Sequence, residues 1–374
     1  NGLSNSIEFE IDPSTESFLI EVTGERGLYS LVELTTPSGR QLIEDAGFTT
    51  RAGRTNYGVA TWMYPNAPGM LAEGGTYKMV LRGMANPDGG TVSEDIDVRI
   101  YSKKRSTEDC AITLDFLVDE QALALSDIQP ALDRIYLETD RLLSQVGIHL
   151  NGYTMVRVNL SRTDVDVSER SVLPIVDDIL EQARRQGYAR EDSLHVILVR
   201  SIGGTSEPKG RALGLPGPYN ADRPNSAVLV ATDHFVDFQG YLDTDGLSET
   251  LTHEMGHYLG LYHTSESNRD KHNPIEDTPE CGTSFCPESF DTNIMSTQSP
   301  RRRFNLTEGQ GEVMRSHPLC TPVSLTNYQP PPPPPECTLE CEAPETCVIW
   351  AGAQQCLAAC DPDLPDLDQC DSFC

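Results

Sequence analysis

Residues 253–263 read His253-Glu254-Met255-Gly256-His257-Tyr258-Leu259-Gly260-Leu261-Tyr262-His263. On a helix, His253 and His257 stand one turn apart on the same face, so both imidazoles can reach one metal ion, and Glu254 beside them can hold a metal-bound water. Gly260 tolerates positive φ and can end the helix, letting the chain bend back and present His263 as a third nitrogen donor. Three neutral imidazoles with a position left open form the donor set of a catalytic zinc site. A lone His on a helix is usually a packed or solvated residue, and H-E-x-x-H alone recurs by chance. The full pattern fixes five positions in a chain with only 8 His, which chance does not explain.

The flanking sequence alternates between two periodicities. Ile112 to Val118 reads as a buried strand, and Ile128, Leu132, Ile135, Leu142 and Val146 fall mostly at three- and four-residue steps, predicting an amphipathic helix over 127–146. A strand near 155–160, a helix near 175–186, a strand over 194–199, a Gly/Pro-rich loop over 203–218 and a strand over 227–231 follow, so an α/β layer leads into a helix beginning near Leu247. Asp243-x-Asp245-Gly246 lacks most of a calcium loop and reads as the turn before that helix. Earlier, Ile7/Phe9/Ile11, Tyr29/Leu31, Tyr77/Met79/Leu81 and Ile96/Val98/Ile100 alternate with turn residues between them, predicting an antiparallel β-sandwich over 1–105. Six consecutive prolines before Glu336 make a stiff spacer. The expected layout is therefore a sandwich (1–105), a catalytic domain (106–320), a proline-rich linker (321–336) and a cysteine-rich tail (337–374).

The chain has 374 residues, with 28 Lys+Arg against 57 Asp+Glu and a formal charge of −29. Such a surface repels nucleic-acid phosphates and anionic lipid. No apolar run approaches the roughly 18 residues of a membrane span, so a soluble chain with its leader already removed is expected; the chain is also expected to be a monomer. None of the 11 Cys precedes Cys110, and seven crowd the last 38 residues, which points to an oxidising, extracellular compartment. Cys281 and Cys286 are close enough in sequence to pair locally, while Cys110 and Cys320 could clamp the ends of the catalytic domain.

The zinc pattern, with Asn293-Ile294-Met295-Ser296 lying 32 residues beyond His263, resembles the metzincin metallopeptidases, whose second signature is a methionine-containing turn beneath the metal. The strings from His253 to Thr264, Glu276-Asp277-Thr278-Pro279, Asn293-Ile294-Met295 and Phe304 to Gln310, with Gly210 to Gly217 ahead of them, are similar to the pappalysin (cytophagalysin) family over roughly residues 108–320. The stretch from Pro68 to Leu81 loosely resembles the small jelly-roll sandwiches of secreted bacterial proteases. The metzincin resemblance implies an α+β catalytic domain with a mixed five-stranded sheet, a zinc helix above and Met295 in a Met-turn below. It also implies a secreted zinc endopeptidase acting on proteins or peptides, with calcium in the lower part. Asp270, Glu276, Asp277 and Asp291 are candidate calcium ligands, each as readily a solvated charge. Relatives often carry Tyr two positions after the turn Met, where this chain has Thr297, leaving the oxyanion partner unassigned.

By the same resemblance Glu254 takes the water's proton and delivers it to the leaving amine. An extended peptide would lie along the edge strand near Leu213 to Leu215. In Ser299-Pro300-Arg301-Arg302-Arg303, Arg301 is the candidate for favouring an acidic residue just past the scissile bond, against three solvated arginines as the plainer alternative. Cys110 has a second reading, as a thiol that occupies the open zinc position in a latent form; the disulfide is favoured. Two rival functions are an adhesion protein retaining a silent protease domain and a zymogen whose sandwich is removed at Lys103-Lys104-Arg105.

Overall fold

The computed structural model describes residues 2–43, 55–86, 89–106, 109–119, 128–159, 164–165, 172–186, 192–203, 208–220, 223, 225–236, 242–266, 271–282, 285–297, 303–323, 345–350 and 353–358. Strands β1 (Ile7–Ile11), β2 (Thr15–Thr35), β3 (Gln41–Ile43), β4 (Thr55–Tyr64), β5 (Gly75–Asn86), β6 (Gly89–Thr91) and β7 (Asp97–Lys104) form one antiparallel sheet. The 21-residue β2 pairs with β4 and β7 through its first half and with β5 and β3 through its second. Phe18, Ile20 and Val22 from the first half share a core with Tyr29, Leu31 and Leu34 from the second and with Tyr77, Met79 and Leu81 of β5. Phe18 meets Tyr77 edge-on at 5.0 Å between ring centroids, so the two halves of β2 face each other across that core.

The intervening residues of β2 are buried as well, but outward. Leu19 and Met63 belong to the core of the following domain, and Glu21 is fully buried at the same boundary. Lys103, expected in an exposed basic junction, is 7% exposed and donates to the Arg315 carbonyl. Lys103 and Lys104 pair with β2, and the Arg105 N–H donates to the Ser14 carbonyl at 2.9 Å. The junction is a ladder strand rather than an open processing loop.

The second region comprises β8 (Cys110–Asp119), α1 (Gln129–Ser144), β9 (Ile148–Val158), β10 (Asp164–Val165), α2 (Val172–Arg185), β11 (Ser193–Val199), β12 (Ser201–Ile202), β13 (Gly210–Ala212), β14 (Ala227–Ala231), α3 (Thr244–Tyr258), α4 (Glu288–Thr292), α5 (Glu308–Arg315) and β15 (Thr321–Pro322). Its sheet runs β9-β8-β11-β14-β13, parallel except for the edge strand β13, with the short β15 added antiparallel to the start of β8. The metallopeptidase-like α+β arrangement expected from the sequence is present.

α2 covers one face through Val176, Ile179, Leu180 and Ala183. On the other face α1 and α3 share a core to which α3 contributes Leu247, Leu251, Met255 and Tyr258, spaced to lie on one side of the helix. Burying each such side chain contributes about 1.5–3 kcal/mol. Cys110–Cys320 joins β8 to the residue before β15, with Cα atoms 5.3 Å apart, and Cys281–Cys286 closes a local loop at 4.2 Å. The thiol reading of Cys110 is thereby overturned. In the tail, β16 (Glu345–Trp350) and β17 (Ala353–Ala358) form a hairpin with Cys347 opposite Cys356; the proline run and the other tail cysteines lie outside the described residues. Among the described residues no helix is long and apolar enough to cross a membrane.

Candidate active site

The helix α3 starts where the Asp243 carboxylate accepts from the Gly246 N–H at 3.0 Å, so this aspartate is an N-cap. It stops at a Schellman turn: the Gly260 N–H donates to the His257 carbonyl at 3.0 Å and the Leu261 N–H to the Gly256 carbonyl at 2.9 Å. Gly260 sits at φ 106°, as the sequence required. The same turn orients a ligand, because its Leu261 carbonyl accepts from His257 Nδ1 at 2.7 Å.

Each of the three histidines is fixed in this way through Nδ1. His253 Nδ1 donates to the Ile294 carbonyl at 2.6 Å, and His263 Nδ1 lies 3.2 Å from a Glu266 carboxylate oxygen. A carbonyl can only accept, so His253 and His257 carry their hydrogen on Nδ1, leaving Nε2 as a bare lone pair. His257 Nε2 and His263 Nε2 approach to 3.0 Å, and donor atoms of all three rings lie within 4.8 Å of one another. Ligands at 2.0–2.1 Å around a tetrahedral ion stand roughly 3.3 Å apart. Converging imidazole lone pairs held by outward-facing Nδ1 hydrogen bonds thus fit a divalent metal.

The turn carrying Met295 comes up beneath this helix. Met295 is fully buried, and a methyl group at Gly256 would sit 2.5 Å from its Sδ, so glycine is needed for the approach. Asn293 accepts from the Met295 N–H at 2.9 Å and exchanges two 3.1 Å amide bonds with Gln310. Gln310 also completes a capping box with Thr307 at the start of α5. A buried side-chain network therefore sets the height of Ile294, the acceptor for His253.

Glu254 is 6% exposed; burial pushes its carboxyl up to about 7, with the Ala212 N–H and then the Arg303 and Arg211 charges pulling the other way. The Ala212 N–H donates to Glu254 Oε2 at 2.6 Å. A methyl group at Gly210 would lie 2.7 Å from Glu254 Cγ, so a glycine is required there too. Because Lys209 and Leu213 spend their main-chain groups on Ala231 and Ala227, the alternate residues Gly210 and Ala212 turn theirs toward the open edge.

These open main-chain groups lie just upstream of the Leu213 to Leu215 segment. Leu213 packs into the core under α2 and Leu215 is half-buried, so Leu213 is a core residue and does not wall a pocket. Arg301 lies outside the described residues. Arg303, which sequence reasoning left among three equivalent arginines, has Nη1 at 3.5 and 3.3 Å from the Ile294 and Ser296 carbonyls and 3.2 Å from His253 Nδ1. Since His253 Nδ1 is already a donor, the guanidinium serves the carbonyls of the Met295 turn, while the Arg303 N–H donates to Glu249 of α3 at 3.1 Å and ties that turn to the helix. Burial lowers its pKa against the opposing pull of Glu249 and Glu254. Thr297 Oγ1 donates to the Ser265 carbonyl at 3.3 Å.

The calcium expectation finds no site among the described residues, whose single cluster of converging donors is the three histidines. Asp277 instead accepts from Thr307 Oγ1 at 2.7 Å and the Gly309 N–H at 2.9 Å, capping α5. Glu276 is exposed, and Asp270 lies outside the described residues.

A glutamate hydrogen-bonded to an open sheet edge, beside imidazoles arranged to share one cation, defines a metallopeptidase. Residues 109–308, more than half of the sequence, match Metallo-peptidase family M12, and the chain belongs to that family. A search of curated proteins finds no match. Among solved structures, mature mirolysin of Tannerella forsythia in complex with a cleaved peptide is similar at 18% identity and a TM-score of 0.39, over 56% of this chain and 91% of that one. Metalloproteinase-II of Bacteroides fragilis is similar at 15% and 0.35, over 66% and 63%. Archaemetzincin of Methanopyrus kandleri is similar at 16% and 0.27, over 56% and 88%.

Proposed function

We propose that the chain is a secreted zinc endopeptidase of the metzincin type, pappalysin-like in its zinc helix and Met-turn. The observation that carries this reading is the convergence of His253, His257 and His263 beside a Glu254 anchored to the edge strand. Zinc bound there supplies Lewis-acid polarisation of a carbonyl and a water of lowered pKa. Glu254, buried beside the histidines and held by the Ala212 N–H, takes a proton from water and passes it to the leaving amine. Gly210 and the Ala212 carbonyl, with the Ala212 N–H held by Glu254, offer main-chain groups to an extended peptide added as a further strand. Residues 1–105 are read as a β-sandwich accessory domain, 106–320 as the catalytic domain, 321–336 as a linker and 337–374 as a disulfide-held tail. Two disulfides suit an extracellular setting.

The test is hydrolysis of a denatured protein by the purified chain before chelation, after chelation, and after zinc is restored. Loss and recovery of cleavage are expected. Cleavage that persists in the metal-free chain, or none from a chain carrying one zinc, would overturn the reading.

A further inference from the structure

The chain leaving the edge strand is clasped from two sides. On one side it is bolted to the zinc helix: the Gly217 N–H donates to the Tyr258 carbonyl at 2.7 Å, and Tyr258 Oη donates to the Pro218 carbonyl at 2.7 Å. On the other side the contacts come from His317, whose Nε2 lies 3.0 Å from the Gly217 carbonyl, and from the N-terminal sheet. Thr61 Oγ1 of β4 donates to the Pro216 carbonyl at 2.5 Å, Tyr101 of β7 packs on Tyr219 at 4.7 Å between ring centroids, and Arg223 Nε donates to Glu21 of β2 at 3.0 Å. Glu21 is 0% exposed and Arg223 20%, so this ion pair is shielded from water. Removing Glu21 would strip Arg223 of its buried partner and leave the half-exposed Asp97, 3.8 Å from Nη2, as its acidic neighbour, so the contact is weakened by more than loss of a surface bridge. Met63 of β4 reaches the turn that ends the zinc helix, where a methyl group on Gly260 would meet its Cε at 2.6 Å.

Between these two clasps the segment has little freedom, and it continues without a break from Gly210 and Ala212. A strand that must accept a peptide along its edge needs its main-chain groups fixed before the peptide arrives, because ordering them on binding would subtract from affinity. We infer that the N-terminal sheet is a working part of the peptide-binding apparatus: through Glu21, Thr61 and Tyr101 it positions Pro216, Tyr219 and Arg223, and with them the edge strand that aligns the substrate. These are positioning residues, since they act through Pro216, Tyr219 and Arg223. The inference rests on the peptidase reading and opposes the zymogen alternative, in which this sheet would be discarded to release activity.

The test uses the full chain with Thr61→Val, which removes a donor while keeping the shape, and Glu21→Gln, each loaded with zinc. For a peptide long enough to span the edge strand, KM should rise about five- to tenfold while kcat stays within about twofold. Zinc content should not change, and exchange of the Leu213 and Gly217 amides, followed in fragments covering 208–220, should quicken about tenfold. Unchanged KM and exchange in folded Thr61→Val would overturn the inference, as would a gain in kcat/KM, the mark of a released inhibitor. If the unaltered zinc-loaded chain cleaves no peptide, the peptidase reading fails instead, and amide exchange alone decides whether the sheet positions the strand.

Discussion

Two glycines and one buried histidine show how much rests on single positions. Gly256 has no catalytic atom, yet a methyl group there would press on Met295 Sδ at 2.5 Å and lift the turn whose Ile294 carbonyl orients His253. Gly256→Ala should lose about 1–3 kcal/mol in urea unfolding, as overpacked cores do, and should weaken zinc retention against a chelator. Gly210 has the same logic toward Glu254. His317 is fully buried, with Nε2 3.0 Å from the Gly217 carbonyl and Nδ1 accepting from the Leu319 N–H at 3.2 Å, and burial lowers its pKa to about 4. The folded state therefore keeps it neutral while the unfolded chain protonates near the usual 6.5. Its contribution is whole above the unfolded value and is lost as pH falls from there toward the folded one. Between neutral pH and pH ~5 the wild type should lose about 2 kcal/mol more stability than His317→Gln, measured by urea unfolding at each pH. Equal losses would contradict the assignment.

The helix α3 was legible because its information lies in spacing: cap, one-turn histidine pair and terminal glycine each leave a residue at a fixed offset. The parallel strands β8, β11 and β14, buried on both faces, read as continuous apolar runs and were placed to within a few residues. The first half of β2 and all of β4 were not. Their outward residues Leu19, Thr61 and Met63 face the catalytic domain instead of water, so the polar half of the alternation is missing. The edge strand β13 (Gly210–Ala212) was read as part of a Gly/Pro-rich loop, because Gly210 gives no strand signal until Glu254 is seen beside it. Arg303 could not be told from its neighbours, since only tertiary structure brings it to the Met-turn. At the other end of the domain, β15 is two residues long and is held to β8 beside Cys110–Cys320. Cys320→Ser should reduce stability by about 2–5 kcal/mol, since the bond closes a loop of 210 residues. Thermal unfolding in the absence of reductant measures it, and a change below about 1 kcal/mol would mean that strand pairing alone holds the domain's ends together.

The molecule joins an antiparallel N-terminal sheet to a metallopeptidase domain across an interface that carries a buried ion pair, a buried lysine and apolar side chains from both partners. Its formal charge of −29 leaves such cationic contacts scarce, which makes the placement of Arg223, Arg303 and Lys103 inside the structure the more informative. Edge strand, α3 and the Met295 turn meet around the Glu254 carboxylate, and the account depends on what that carboxylate does. The measurement that tests it most directly is kcat/KM for one peptide with the wild-type chain and Glu254→Gln, both verified to carry one zinc. The variant should keep the metal and lose about 10²–10⁴-fold in kcat/KM. A variant that retains zinc and cleaves within about tenfold of wild type would contradict the account, because proton transfer would then belong to some other group.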